Sequence, residues 1–523
     1  MKKKSIITII VIIVIIVIAV AAKAHGKNKY PIGTPQNPYV IQWYLIGSVP
    51  NDLPQVEKAL DDYLVPRIGA KVELHFFGFG QYDSVMKNMI ISGSPYDLCF
   101  TAGWAANYEN FAEMGAFYPL TNPNDPSKGL LEQYGQGIIQ NLNPAFLTGP
   151  KINGILYAVP TNKEVANQLS YVVNATIANQ VGFDLNSVVP NAGLKTLQSL
   201  EPFMAKMVAA NIPGGVPYSV TATTTFELPD QVPIMSATVP GSVEMGTTDY
   251  KVFDQYETPE YMAYMEYYHH LYEKGYIASN AAVPNSSSNV LSKNIGINLA
   301  DYMPCQDYLE NPTNVISGWQ QKSFGAYTPI ITTSETEGAM TAISVYAKRP
   351  DIDMKFLNLV NSDPYVRNLL QYGIQGLSYN LDANNQVIRT PEGTKNYTPW
   401  QPALGNIMIL HLVQGDPSNK WQQFQQFNAS ANYSPIFGFH FDQAPVQDQL
   451  SAIASVELQY GPELFTGTVD PKVVLPQFIA ALNAAGMQKV LAEEQKQVNA
   501  WVAAQKAAGT LPVSKVIPQS SIM

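Results

Sequence analysis

Few residues in this chain are placed to do covalent chemistry. Asp97, in YDLCFT, stands at the start of a strand before a turn, where an acid can serve as a catalytic carboxylate or accept hydrogen bonds from backbone amides. Glycoside hydrolysis needs only two carboxylates, roughly 5 to 10 Å apart, a separation that sequence spacing does not give. Asp382 opens the run DANN. Its oxygens suggest Ca2+, but the full alternation and a closing Glu are missing, which leaves a hairpin turn as the other reading. His25, His75, His269, His270, His411 and His440 show no metal-ligand spacing. His269 and His270 fall in YMAYMEYYHHLYEKGYI, where tyrosines recur every three or four residues, as on a buried helix face or a ligand platform. Cys99 and Cys305 are too few for a disulfide scaffold; they read as two buried thiols or one long-range bridge. GxSxG, HExxH, GxxxxGK[ST] and a strand-linked GxGxxG are all absent. No catalytic residue, metal ligand or cofactor is therefore assigned.

Non-covalent recognition is better supplied. Aromatic residues make up 11% of the chain, 30 of them tyrosines, and a flat apolar ring with a hydroxyl suits polyhydroxylated ligands. With 31 Lys+Arg against 41 Asp+Glu, the net charge of −10 argues against nucleic acid, whose phosphates need clustered cations.

These side chains need elements to carry them. Lys2, Lys3 and Lys4 precede an apolar run, Ile6 to Ala22, the order of an export signal. As a helix it would be about 25 Å long, slightly short of a bilayer core. Residues 1–26 are read as a signal peptide, cleaved after Ala24, or as a retained membrane anchor; 27–38 are read as a spacer. Beyond them, Val40 to Ile46, Lys71 to Phe77 and Asp97 to Thr101 alternate as strands with helices from Asn51 to Leu64 and Tyr82 to Ile91. Ligands of such parallel sheets gather at the carboxyl ends of the strands. Here those ends are Gly47 to Pro50 and Thr101 to Tyr108. Further helices are expected at Leu197 to Ala209, Pro259 to Lys274, Asp351 to Ser362, Val446 to Tyr460, Pro471 to Ala484 and Met487 to Ala508, the last with Glu493, Glu494, Lys496 and Gln497 on a solvated face. Short strands are expected at Ile155 to Pro160, Ile295 to Leu299 and Ala339 to Ser344. The class is α/β.

The stretches GSPYDLCFTAGWAANYENFAEMGAFYPL, KINGILYAVP, AMTAISVYAKRPDIDMKFLNLVNSDPYVRNLLQYGIQGLSY, SPIFGFHFDQAPVQDQ and AGMQKVLAEEQKQVNAW resemble the extracellular solute-binding proteins of ABC importers, in particular the lipoprotein-A type with its C-terminal domain of unassigned function. The resemblance implies a two-lobed clamp of the maltose-binding class behind an N-terminal hydrophobic helix. Lobe one would hold residues 39–160 and 294–340, and lobe two 161–293 and 341–523, with the family domain over about 380–515. Crossovers near Pro160, Lys293 and Ser344 would form the hinge.

By the same likeness the protein is a monomeric receptor, not an enzyme, on the outer face of the cell membrane. It would take up a small-molecule solute, above all a mono- or oligosaccharide, and pass it to the permease subunits of the importer. Gly47, Ser48, Thr101, Trp104, Asn107 and Tyr108 would line lobe one, with Trp104 as a stacking platform and Trp43 either beside them or in the core. Asn162 and Glu164 would lie at the cleft floor, and Tyr218, Trp400 and Asn406 would come from lobe two; Trp400 could instead pack under a loop and Asn406 cap a helix. Two departures stand out. No cysteine follows the apolar run, where relatives carry a lipid, and Gln375 in YGIQGLSY replaces a frequent Glu, in what is otherwise a turn held by Gly373 and Gly376. An exported glycan-cleaving enzyme and a surface adhesin or sensor are the alternatives.

Overall fold

The computed structural model describes residues 30–223, 228–284, 293–305 and 319–512. The apolar segment read as signal or anchor therefore lies outside the described residues. Among those described, no helix is long and apolar enough to cross a membrane.

Two sheets organise the chain. The first has the order β2-β1-β3-β9-β4, with β1 Tyr39–Ile46, β2 Ala70–Phe77, β3 Leu98–Thr101, β4 Ala158–Pro160 and β9 Met340–Ile343. The β1 ladder runs in parallel register with β2, from Tyr39 against Ala70 to Ile46 against Phe77, and β3 also runs parallel to β1. Alternation along β1 sends Ile41, Trp43 and Leu45 into the core. Helices Leu53–Ile68 and Phe79–Ser92 cover the sheet, the first through Val56, Leu60 and Leu64 at four-residue spacing. That helix ends at Gly69, whose positive φ of 65° needs no Cβ; a Cβ there would lie 2.2 Å from the Gly33 carbonyl oxygen.

The approach of Gly33 bears on the spacer reading of 27–38. The described part, 30–38, is a tight turn on lobe one: Gly33 N–H donates to Asn37 O at 2.8 Å, and Arg349 Nη1 donates to Ile32 O at 2.5 Å.

The second sheet has the order β8-β5-β7-β6, with β5 Leu169–Asn174, β6 Val216–Ser219, β7 Ile295–Asp301 and β8 Gln321–Gly325. This corrects the expected lobe boundaries. Residues 295–301 and 321–325 belong to lobe two, because β7 pairs antiparallel with β5 and parallel with β6, and β8 pairs antiparallel with β5. Helices Pro350–Ser362 and Pro364–Tyr372, with Tyr397, Ala403 and Leu404, pack with Trp43 and Phe100 in the core of lobe one, not lobe two, and Tyr372, Tyr379 and Val387 form a small cluster of their own. The chain returns to the core of lobe two at Ile436 and stays there through helices Gln447–Phe465, Pro471–Ala484 and Met487–Ala508.

Three segments therefore cross between the lobes, 161–168, 326–339 and 432–441, and they are hydrogen-bonded to one another. Asn167 and Ile330 exchange two backbone bonds of 2.7 and 2.8 Å, and Ile330–Ile331 pairs in parallel with Asn432–Tyr433. The crossover expected near Pro160 falls beside the first of these. Those expected near Lys293 and Ser344 do not, since both lie within a lobe.

Candidate functional site

A cavity of about 730 Å³ opens between the lobes over this hinge. Asn167, Ile330 and Asn432, one from each crossing segment, line its floor. Lobe one contributes Gly103, Asn107 and Glu109 from the loop after β3, and the opposite wall is the stretch from Pro229 to Thr238. Polar groups from both sides converge on it, among them Asp230, Gln231, Ser334 and Glu335.

Beside it, at the carboxyl ends of β1, β2 and β3, lies an aromatic cluster. Trp104 and Phe79, each 53% exposed, stack with centroids 6.2 Å apart at 14°, and Trp400 meets both edge-on at 5.8 and 5.3 Å. Trp104 Nε1–H donates to Gly338 O at 2.9 Å, which fixes the indole. The cluster adjoins the cavity because Gly103 precedes Trp104 and Glu337 precedes Gly338, and both of those residues line it. Gly47, with φ of 138°, lies under Trp400: a Cβ there would be 3.5 Å from the Trp400 Cβ. Ser48 is exposed at the same edge.

Several residues expected to touch a ligand do other work. Trp43 is fully buried, edge-on to Phe356 at 5.5 Å. Tyr108 is fully buried and donates to Pro150 O at 2.7 Å, and Thr101 donates to Ala106 O at 2.5 Å. Tyr218 shares a 2.8 Å hydroxyl bond with Tyr268 in the core of lobe two. Trp400 and Asn406 sit on lobe one, not lobe two. Asn406 caps a 3-10 turn, accepting from Met408 N–H at 2.9 Å, and Asn162 Nδ2 donates to its side-chain oxygen at 3.1 Å. Asn107 likewise caps helix Tyr108–Glu113 while facing the cavity. Glu164 forms a 2.8 Å ion pair with Lys163.

The residues first weighed for chemistry are also accounted for. Asp97 is buried, accepting from Tyr39 OH and from Gln42 N–H at 2.8 Å, and burial raises its pKa. Asp382 Oδ1 accepts from Asn384 and Gln386 N–H in the turn of a hairpin, Tyr379–Leu381 with Val387–Arg389. His270 Nε2 lies 2.8 Å from Glu201 Oε1, and the tyrosines of its helix pack in the core. Gln375 is held in a turn with Gly373 and Gly376, both at positive φ. Cys99 and Cys305 are both buried, and neither is in a disulfide.

One cluster was not legible in advance. On the cavity wall, His440 Nδ1 lies 2.5 Å from Glu109 Oε1 and 3.6 Å from Glu337 Oε1, and His440 Nε2–H donates to Gly149 O at 3.1 Å. Burial disfavours the charged imidazole, but the bond to Glu109 and the two negative charges outweigh it and push its pKa up to about 8; burial pushes Glu337 up as well. Glu109 and His440 are 331 residues apart, so no local spacing could join them. The two acids do not form a glycosidase pair. Such a pair flanks a glycosidic oxygen with about 5 to 10 Å between carboxyls, whereas here the imidazole fills the gap.

A domain of unknown function, DUF3502, matches residues 435–503, the stretch that returns to lobe two. A carbohydrate ABC transporter substrate-binding protein of Streptococcus pneumoniae serotype 4 (strain ATCC BAA-334 / TIGR4) is 26% identical over 472 residues, covering 88% of this chain and 91% of its own length. Among solved structures, the N-glycan transport solute binding protein NgtS from Streptococcus pneumoniae superimposes with a TM-score of 0.79 at 26% identity, over 89% of this chain and 100% of that one. NgtS in complex with Man1GlcNAc gives 0.70 at 26% identity over 88% and 99%, and in complex with Man5GlcNAc 0.67 at 26% over 89% and 99%. Over nearly its whole length, then, the chain has the two-lobed α/β fold of solute-binding proteins and is similar in sequence to ones that serve carbohydrate transport.

Proposed function

We propose that this protein is an extracellular receptor that captures an oligosaccharide in the cleft between its lobes and delivers it to the permease of an ABC importer. The observation that carries the reading is the cleft: a cavity over a three-strand hinge, rimmed by amides and carboxyls and flanked by an exposed tryptophan platform. Aromatic faces stack on the apolar faces of sugar rings while side-chain oxygens and amides bond the hydroxyls. Support for the sugar comes from the relative, NgtS, an N-glycan transport solute binding protein solved in complex with Man1GlcNAc and with Man5GlcNAc. Two lobes joined by crossing segments can close on such a ligand by rotation at the hinge.

Calorimetric titration with Man5GlcNAc is expected to show one site of micromolar or tighter affinity, with a change in tryptophan fluorescence and the glycan recovered intact. Binding of a peptide of similar mass but of no glycan would remove the sugar and keep the receptor; a cleaved glycan would overturn both.

The N-terminal apolar run holds this receptor at the membrane in place of a lipid. A tethered receptor meets its permease at millimolar effective concentration. Cell fractionation is expected to find the full chain with membranes and a chain lacking residues 1–26, exported behind a cleavable signal, in the medium. Recovery of the full chain in the medium would refute the tether.

A further inference from the structure

We propose that Glu109, Glu337 and His440 bind one divalent transition-metal ion of the Zn2+ class on the wall of the interlobe cavity. The ligand atoms of all three lie within 4.8 Å of one another. They come from three parts of the chain: helix Tyr108–Glu113 of lobe one, the second crossing segment and the third.

Three features set this group apart from an ordinary ion pair. First, the imidazole is oriented as a metal ligand. Its Nε2–H is bound to the Gly149 carbonyl, which leaves Nδ1 facing the two carboxylates, and a second-shell carbonyl of this kind fixes tautomer and ring plane in metal sites. Second, one proton cannot satisfy both acids. A hydrogen on Nδ1 reaches Glu109 at 2.5 Å but not Glu337 at 3.6 Å, and Glu337 Oε1, on a side chain only 4% exposed, accepts no hydrogen bond. Burial pushes Glu337 toward its neutral acid while its Oε1 stays unpartnered, and a doubly charged ion placed among the three atoms would hold both acids as carboxylates. Third, the spacing fits. A tetrahedral ion with bonds of about 2.1 Å holds its ligands roughly 3.4 Å apart. Glu337 and His440 already have about that spacing, Glu109, on a side chain 31% exposed, would withdraw from the imidazole by about 1 Å, and the two carboxylates, with all three ligand atoms inside 4.8 Å, lie within a side-chain adjustment of it.

The donor set selects the ion. One imidazole nitrogen with two carboxylates suits Zn2+ and its neighbours, whereas Ca2+ and Mg2+ take oxygen shells of six or more. Three protein ligands leave one position open, and all three residues line the cavity. The inference goes beyond the sugar reading and does not depend on it.

The test is calorimetric titration of chelator-stripped full-length protein, in mild detergent, with ZnCl2. One ion per chain is expected, with affinity reduced at least about 100-fold by Glu337→Gln or His440→Gln and unchanged by His270→Gln. An affinity that both of the first two variants leave intact, or no binding at all, would overturn the proposal, as would equal binding of Ca2+. Should those variants not fold, Co2+ added to the wild-type chain decides the matter by NMR. The first equivalent is expected to broaden the His440 ring signals selectively; broadening of His269 or His270 first would refute the site.

Discussion

Trp104→Ala is expected to weaken oligosaccharide binding by about 30- to 300-fold, while the melting temperature of the free protein stays within roughly 1 °C of the wild type. The two halves of this expectation have separate causes. Half of the indole surface faces solvent, so its removal leaves no cavity and takes little from the core. Its orientation is nevertheless fixed, by the bond from Nε1–H to Gly338 O and by contact with Phe79 and Trp400. A ring that is both exposed and held still loses little entropy when a sugar stacks on it, which is what makes an anchor residue. Trp104→Phe should recover most of the affinity, because stacking needs the ring and not the ring nitrogen. Titration of both variants against one glycan decides the matter. An alanine variant that binds as tightly as the wild type would remove the platform from the site. Trp400 is a poorer probe, since it is half-buried and packed on Phe100, so its truncation would disturb lobe one as well.

The same residues show what a sequence can and cannot disclose. Lobe one was legible because its strands alternate: VIQWYLI and KVELHFF each bury every second residue, and a helix joins them, although it runs on to Ile68, four residues past the expected end at Leu64. The strand Leu169–Asn174 was not read, because five of its six residues are buried and a run without period gives no signal. The lobe boundaries failed for a different reason. Whether Ile295–Asp301 joins the first or second sheet depends on the path of the chain, and nothing within those seven residues records it. Binding residues divided along the same line. Of the positions named from strand ends, Ser48, Trp104 and Asn107 reach the surface of the cleft region, while Thr101 and Tyr108 pack inside, as do Trp43 and Tyr218. Large aromatic side chains fill cores as readily as they stack on ligands, so identity without topology could not separate the two.

Neutralising Glu494 should change stability strongly. Its helix, Met487–Ala508, was read as presenting Glu493, Glu494, Lys496 and Gln497 to solvent, and Glu493 and Lys496 do form an exposed pair at 2.9 Å. Glu494 instead has no exposed surface, and neither carboxyl oxygen has a hydrogen-bond partner. It fits because Gly241, at φ of 124°, lacks a Cβ; one placed there would come within 1.9 Å of Glu494 Oε2. Burial pushes its pKa up to about 9, and burial likewise lifts Glu457, on the adjoining helix, to about 7. The folded state thus keeps a proton that the unfolded chain releases near pH 4.5, so it binds more protons than the unfolded state across that interval. Stability is then fully present below about pH 4.5 and is lost progressively as the pH rises through 9, by on the order of 3–5 kcal/mol at pH 8 for Glu494 alone. Glu494→Gln keeps the shape and removes the charge. Urea unfolding is expected to find the variant close to the wild type at pH 5 and more stable by a few kcal/mol at pH 8, with Glu457 accounting for the shallower slope that persists. Parallel pH profiles for variant and wild type would show that the carboxyl is solvated or paired, and that the packing of this helix against Gly241 is not as described.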